Sequence, residues 1–271
     1  MNSPVRELTM LLGADHPAFG AVEMRVQAEG RSALAISAGA AGPSGAEARK
    51  QGVAVPNEDA VLVVDEGPRT LLAVADSHHG HEAACDLVAQ LAQRFAPAAG
   101  APGPAPLPRD PLAVLDVLRR LDRGSERPDT ASRAALLVAV IDRERGQGFG
   151  ASFGDCSLTV VGRNREPMPA TRKNRAFVSP WLPGSLHPRL AFEFALRVQP
   201  GDLVLAFTDG IDECHYGNPQ ASIRPAHLWN LLLESGSEPL AYARGLAELA
   251  LAGVGGNAGG QDNLAIGVSR A

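Results

Sequence analysis

The chain has 271 residues, with 25 Lys+Arg against 30 Asp+Glu, a formal net charge of −5 and 45% apolar residues. A surplus of acid argues against a nucleic-acid binder, because affinity for phosphate backbones comes from clustered Lys and Arg. The ordinary balance of apolar and charged residues argues against a disordered chain. With only 2 Trp, 2 Tyr and 8 Phe, the core has to come mostly from Ala, Val, Leu and Ile.

Residues 1–20 carry one short apolar stretch, interrupted by Thr9, and no basic leader. They read as an N-terminal extension rather than a signal peptide, and no window approaches the ~18 apolar residues of a membrane span. A cytoplasmic protein with no membrane partner is expected. Residues 38–52, rich in Gly and Ala, read as a flexible insertion. Strands follow at 60–64 (AVLVV) and 71–75 (LLAVA). Ala84, Leu87, Val88, Leu91, Ala92 and Phe95 recur at i, i+3, i+4, i+7, i+8 and i+11, which predicts an amphipathic helix over 81–95. A second flexible insertion spans 97–111, where six prolines remove donors and fix φ. Leu112, Leu115, Leu118 and Leu121 suggest a second helix. Strands are predicted at 134–141, 158–161 and 203–207, a third helix at 240–251 and a final strand at 264–268. Grouped elements in place of strict alternation favour an α+β layered domain with antiparallel sheets over a doubly wound parallel sheet. The three cysteines, Cys85, Cys156 and Cys214, form no C-x-x-C pair and read as reduced, packed thiols.

Carboxylates cluster at the ends of the apolar runs. Glu58 and Asp59 precede AVLVV, Asp76 follows LLAVA, Asp155 lies between Gly154 and the run at 158, Asp209 follows LVLAFT, and Asp262 precedes NLAIGV. Any one of these is an ordinary turn former. If the strands lie side by side, however, the acids gather, and uncompensated they would be costly through desolvation and repulsion. Divalent cations resolve that cost. Hard oxygen donors without Cys or a clear His set select Mg²⁺, Mn²⁺ or Ca²⁺ over Zn²⁺, and the absence of a regular calcium-loop spacing demotes Ca²⁺. Two Mg²⁺ or Mn²⁺ ions held by scattered acids suit metal-assisted hydrolysis.

NEDA (57–60), VADSHHGHEAA (74–84), FGDCS (153–157), LVLAFTDGIDE (203–213) and GGQDN (259–263) resemble, in order and rough spacing, the motifs of the metal-dependent type 2C protein phosphatases. The resemblance implies one such domain over 1–271, folded as a four-layer αββα sandwich of two antiparallel sheets flanked by helices. It implies hydrolysis of phosphoserine and phosphothreonine in proteins by a metal-activated water, with two Mn²⁺ or Mg²⁺ ions and a third, weaker site. Carried over by motif, Asp76 bridges both metals, the Ser77 carbonyl binds one of them, and Asp209 and Asp262 hold the first. Glu58 and Asp59 bind metal directly or through water, Asp155 belongs to the third site, and His78 is the general acid. The partners implied are a phosphorylated protein substrate and a cognate serine/threonine kinase, for a monomer.

Two departures stand out. The family has Arg four residues before the Glu of the NED motif, where this chain has Ala54; Arg49 and Lys50 lie upstream in the flexible-looking stretch and do not match. Where the family reads Asp-Gly-His-Gly-Gly, this chain has Asp76-Ser77-His78-His79-Gly80, so that His79 puts a side chain where close backbone approach is expected. These leave a second reading open, a weak or inactive pseudophosphatase acting as a regulatory phosphoprotein- or kinase-binding module, and a third, a hydrolase of small phosphate esters. A flap-like segment at 164–188 holds Arg165, Arg172, Lys173 and Arg175, with Arg189 just beyond, as candidate substitutes for the missing anchor. His81-Glu82 begins like H-E-x-x-H, but Cys85 replaces the second His.

Overall fold

The structure, a computed structural model, describes residues 6–27, 29–96, 104–122 and 130–271. One six-stranded sheet takes, in spatial order, β1 (Glu7–Leu12), β4 (Asp59–Asp65), β5 (Arg69–His78), β6 (Arg133–Asp142), β7 (Gln147–Phe153) and β10 (Phe192–Arg197). The other takes β2 (Glu23–Val26), β3 (Ser32–Ser37), β12 (Leu264–Arg270), β11 (Leu203–Phe207), β8 (Ser157–Gly162) and β9 (Arg165–Pro169). Neighbouring strands pair antiparallel throughout. The helices are α1 (Ala46–Arg49), α2 (Glu82–Phe95), α3 (Pro111–Arg119), α4 (Asp209–Asp212), α5 (Pro225–Ser235) and α6 (Pro239–Ala252).

Side chains alternate across a strand, and that alternation sorts the core into three layers of apolar contact. Ala60, Leu62 and Val64 of β4 face Leu87, Leu91 and Phe95 of α2, with Val114 and Leu118 of α3 in the same cluster. Val61 and Val63 face the other way, into the space between the sheets, with Leu34, Ile36, Val204 and Ala206. The outer face of the second sheet, with Ala33, Leu205 and Ile266, packs on Leu232 of α5 and Tyr242 and Leu246 of α6. The result is the α+β sandwich in four layers, αββα. Both faces of β4 are covered, which is why 60–64 is continuously apolar instead of alternating; each such side chain contributes about 1.5–3 kcal/mol on burial.

Several elements differ from the sequence expectation. Residues 7–12 are an edge strand on β4, not part of an extension: Leu11 is buried between the sheets, and Leu8, Met10 and Leu12 pack towards α2. The strands β3 (SALAIS) and β7 (QGFGASF) are built of small residues whose strand character comes from being covered on both faces, not from β-branching. The 38–52 segment holds α1, pinned by Ala40 N–H and Ala46 N–H donating to Gly260 O at 2.8 and 2.9 Å. Of the 97–111 insertion, residues 97–103 lie outside the described residues, and Leu107 is buried. The second helix begins at Pro111, with the Asp110 side chain accepting from Ala113 N–H. Its buried stripe includes Leu115 and Leu118, Leu121 is buried just beyond its end, and Leu112 is exposed. Residues 165–169 of the flap-like segment form the edge strand β9, and α5 had no counterpart in the sequence reading. Among the described residues no helix is long and apolar enough to cross a membrane.

Candidate metal centre

Period two also decides which acids meet. Asp59 opens β4 on the face of Val61 and Val63, and Asp76 and His78 close β5 on the face of Leu72 and Val74, so all three stand on the inter-sheet side at one end of the sandwich. Asp59 lies directly opposite Asp76 in register. Thr208, at the end of β11 in the second sheet, donates to Asp59 Oδ2 at 2.7 Å and accepts from Ala265 N–H at 2.8 Å, tying the two sheets together there. Asp209 follows, at the start of α4. Gly210 comes so close to the Asn263 carbonyl that a Cβ would lie 1.8 Å from its oxygen, so only glycine lets the 208–210 turn meet the 261–263 turn that carries Asp262. Asp155 follows β7, and a ligand atom from each of Asp76, His78 and Asp155 falls within 4.8 Å of the others. The His78 ring stands edge-on to Phe177, with centroids 4.5 Å apart.

Glu58 accepts from Gly80 N–H through Oε1 at 2.7 Å, and its carbonyl accepts from Ser77 N–H at 3.2 Å. Ser77 points to the opposite face of β5, where its hydroxyl accepts from Ala84 N–H of α2 at 2.7 Å. Its side chain therefore caps a helix, a role the family's glycine could not fill. His79 is exposed with φ 64, the left-handed region that disfavours any side chain.

Burial dominates the electrostatics. It pushes Asp59 up to about 7, against the Thr208 hydrogen bond and Lys50, which lower it. Burial first, then the charges of Asp59, Asp209, Asp262 and Asp155, hold Asp76 well above the carboxylate range. Asp209 is raised by burial and by Asp262, Asp155 and Asp59, and Asp155 by burial against Lys173 and His78. Among the described residues, Asp59 Oδ1 and Asp155 Oδ1 are buried with no hydrogen-bond partner. Orphaned carboxylate oxygens in a hard-donor set are what a divalent cation satisfies, so the residues present fit Mg²⁺ or Mn²⁺.

The cations correct the sequence reading. Lys50 and Arg49, set aside as part of a flexible stretch, reach the acids from α1. Lys50 Nζ lies 2.9 Å from Glu58 Oε2 and 3.3 Å from Asp262 Oδ1. Arg49 Nη1 lies 3.3 Å from Asp262 Oδ2 and bonds the Gln261 carbonyl, with its guanidinium over the Tyr216 ring. Of the five basic residues at 165–189, Lys173 comes to this end, pairing with Asp212 and Glu213 at 2.9 Å each. Arg165 is committed to Asp202, and Arg172, Arg175 and Arg189 are exposed. Ala54 is exposed as well. Thr208 and Phe177 had no role in the sequence reading; the Thr of the TDG motif was the available signal for the first.

Neither a protein-family model nor a curated protein sequence matches the chain. Solved structures do match in fold. A crystal structure of a bacterial serine phosphatase superposes with a TM-score of 0.60 at 13% identity, covering 88% of this chain and 96% of that one. The catalytic domain of the serine/threonine protein phosphatase PstP, in complex with two manganese ions, gives 0.57 at 19% identity, covering 92% and 99%. The SiaA-PP2C domain of Pseudomonas aeruginosa gives 0.52 at 19%, covering 79% and 80%.

Proposed function

Sharing its fold with bacterial type 2C serine/threonine phosphatases, the chain is, we propose, a divalent-metal-dependent phosphatase of phosphoserine and phosphothreonine in proteins. The observation that carries the reading is the gathering of acids at one end of the sandwich, with Asp59 and Asp76 buried on the inter-sheet face and Asp155 and Asp209 half-buried beside them, and with an orphaned oxygen on Asp59 and on Asp155 among the described residues. Asp76, Asp209, Asp262 and the Ser77 carbonyl would hold Mn²⁺ or Mg²⁺, with Glu58 and Asp59 ligating directly or through water and Asp155 serving a further, weaker site. When bound, such ions make water nucleophilic near neutral pH and offset the charge of phosphoryl oxygens.

The chain's own groups do the rest. His78, oriented by Phe177, stands beside Asp76 and Asp155, and would deliver a proton to the leaving Ser or Thr oxygen. Arg49, with a third of its side chain exposed, would hold the substrate phosphate where the position 54 arginine is lost. The substrate would be a phosphorylated protein, with a serine/threonine kinase supplying the opposing reaction, in the cytoplasm. The test is hydrolysis of a phosphopeptide panel and an aryl phosphate with Mn²⁺ and with chelator. Turnover that is metal-dependent and fails in Asp209→Asn supports the reading; turnover indifferent to chelator rejects it.

The exposed Ala54 and the left-handed His79 favour one second reading, a pseudophosphatase that binds a phosphoprotein or kinase. Ala54→Arg separates the two: an enzyme lacking only its anchor gains a lower KM, and an inactive scaffold gains nothing.

A further inference from the structure

The acid cluster is neutralised in two ways. Both oxygens of Glu58 are engaged, Oε1 by Gly80 N–H at 2.7 Å and Oε2 by Lys50 at 2.9 Å. Both oxygens of Asp262 are engaged too, Oδ1 by Lys50 and Asn263 N–H at 3.3 and 2.9 Å, and Oδ2 by Arg49 at 3.3 Å. Asp59 Oδ1 and Asp155 Oδ1, by contrast, have no hydrogen-bond partner among the described residues. The Lys50 side chain is only 12% exposed, which long ammonium side chains adopt only when charge compensates them.

Its position is built, not incidental. Gly39, at φ 94, lets the chain before α1 lie against the turn that carries Asp262: a Cβ there would come 2.6 Å from the Asp262 carbonyl and 2.4 Å from the Ala46 Cβ. Gly260 O accepts from both Ala40 and Ala46. The backbone that leads into Lys50 is thus fixed to the loop whose acid it neutralises. Burial of the ammonium works against its charge, but Asp262, Glu58 and Asp59 outweigh it and raise its pKa, so Lys50 is a cation at any physiological pH.

We propose that Lys50 is an internal counter-ion that competes with a divalent cation for Glu58 and Asp262, so that the metal centre fills unequally. The inference rests on the metal-dependent reading above. One ion binds on the side of Asp59 and Asp76, where an Asp59 oxygen lacks a partner among the described residues. A second ion, needing Asp262, binds only as Lys50 withdraws, and α1 thereby sets the metal concentration at which the centre is complete. The charge arithmetic supports the direction, since a fixed positive charge a few ångströms from an incoming dication repels it and holds its ligands.

Calorimetric titration of the full chain with Mn²⁺ tests this. The wild type is expected to show two steps of unequal affinity. In Lys50→Gln the weaker step tightens on the order of tenfold, a magnitude set by one partly buried charge, whereas Lys50→Arg, which keeps the charge, stays within about twofold of the wild type. Superimposable isotherms for wild type and Lys50→Gln, weaker binding in Lys50→Gln, or tightening in Lys50→Arg as well would each overturn the proposal. Should Lys50→Gln fold poorly, a crystal structure of the wild type soaked in Mn²⁺ decides the matter. Mn²⁺ on Asp262 with Lys50 Nζ withdrawn from both carboxylates supports it, and Mn²⁺ on Asp262 with Lys50 still in place sinks it. Absence of Mn²⁺ binding in every variant would instead defeat the metal-dependent reading itself. Metal binding of the expected kind without phosphopeptide turnover would defeat only the phosphatase assignment.

Discussion

The two halves of the acid cluster solve one problem differently. Glu58 and Asp262, at the rim, are matched by Lys50 and Arg49 and by backbone N–H groups. Asp59 and Asp76, buried between the sheets, and Asp209, at the start of α4, have no basic side chain bonded to them among the described residues, and burial drives their pKa values up. A carboxylate at a strand end is inexpensive when the chain carries a cation to it and costly when only other carboxylates surround it. The deep half therefore carries charge that a cation would relieve, whereas the rim half already carries cations of its own.

The contrast breaks most directly at Asp209. Asp209→Asn removes one deep charge and one ligand, and metal-dependent turnover is expected to fall on the order of a thousandfold, comparable to losing a principal source of charge stabilisation. Without divalent ions the same variant should melt higher than the wild type, because the removed charge was repelled by Asp262, Asp155 and Asp59. A scanning-calorimetry comparison in chelator checks this, and a lower melting temperature would mean that the deep acids are not in mutual conflict.

The pH dependence follows from Asp59. Its folded pKa of about 7 lies above the unfolded value, so the folded chain holds a proton that the unfolded chain has released. The associated stability is fully present below about pH 4 and lost as pH rises through about 7. In chelator the melting temperature should fall by several degrees between about pH 5 and 8, and Asp59→Asn should flatten that slope. Saturating Mn²⁺ should reverse it, since the metal prefers the deprotonated acids. A slope unchanged in Asp59→Asn would place the titration elsewhere.

At the rim, Arg49→Ala is expected to raise KM for an aryl phosphate about tenfold, the scale of one charge-assisted contact, with kcat changed less. Ala54→Arg in that background should recover part of the loss. If Arg49→Ala lowers kcat and leaves KM alone, Arg49 supports Asp262 rather than substrate.

These outcomes bear on what the sequence could reveal. The deep half was legible because its residues sit at the ends of covered strands, where a continuous apolar run stops at an acid: Asp59 before AVLVV and Asp209 after LVLAFT. At the rim the acids Glu58 and Asp262 were legible by the same signal, but the cations that match them were not. Lys50 lies eight residues before Glu58 in a stretch whose composition reads as loop, and what brings it there is the contact of Gly39 and Gly260 with partners more than 200 residues apart in sequence. Such a contact leaves no periodic trace. The missed strands β3 and β7 have the same cause, since Ala, Gly and Ser form strands when both faces are covered, and coverage is a tertiary fact. An α+β layered domain with antiparallel sheets was expected from the grouping of the apolar runs, whereas the two sheets flanked by helices came from the family resemblance.

The smallest expected effect concerns a residue that faces away from both halves. Ser77 stands on the opposite face of β5 from Asp76, where its hydroxyl accepts from Ala84 N–H, and Ser132 accepts from Ala83 N–H at 3.0 Å. His81, at the N-cap of α2, has helical φ and ψ and supplies no side-chain bond, so these two serines satisfy donors that the helix start leaves open. Ser77→Ala should therefore lower stability by about 1 kcal/mol, a shift of about 2–4 °C in Tm for a chain of this size. Mn²⁺ affinity should stay unchanged, because the Ser77 carbonyl is retained. Ser77→Gly should lower Tm somewhat further, through the added backbone freedom of glycine within a strand. An unchanged Tm in Ser77→Ala would show that water satisfies Ala84 N–H equally well. A change in Mn²⁺ affinity would show that the two faces of β5 are coupled, and that the deep acids depend on how α2 is held.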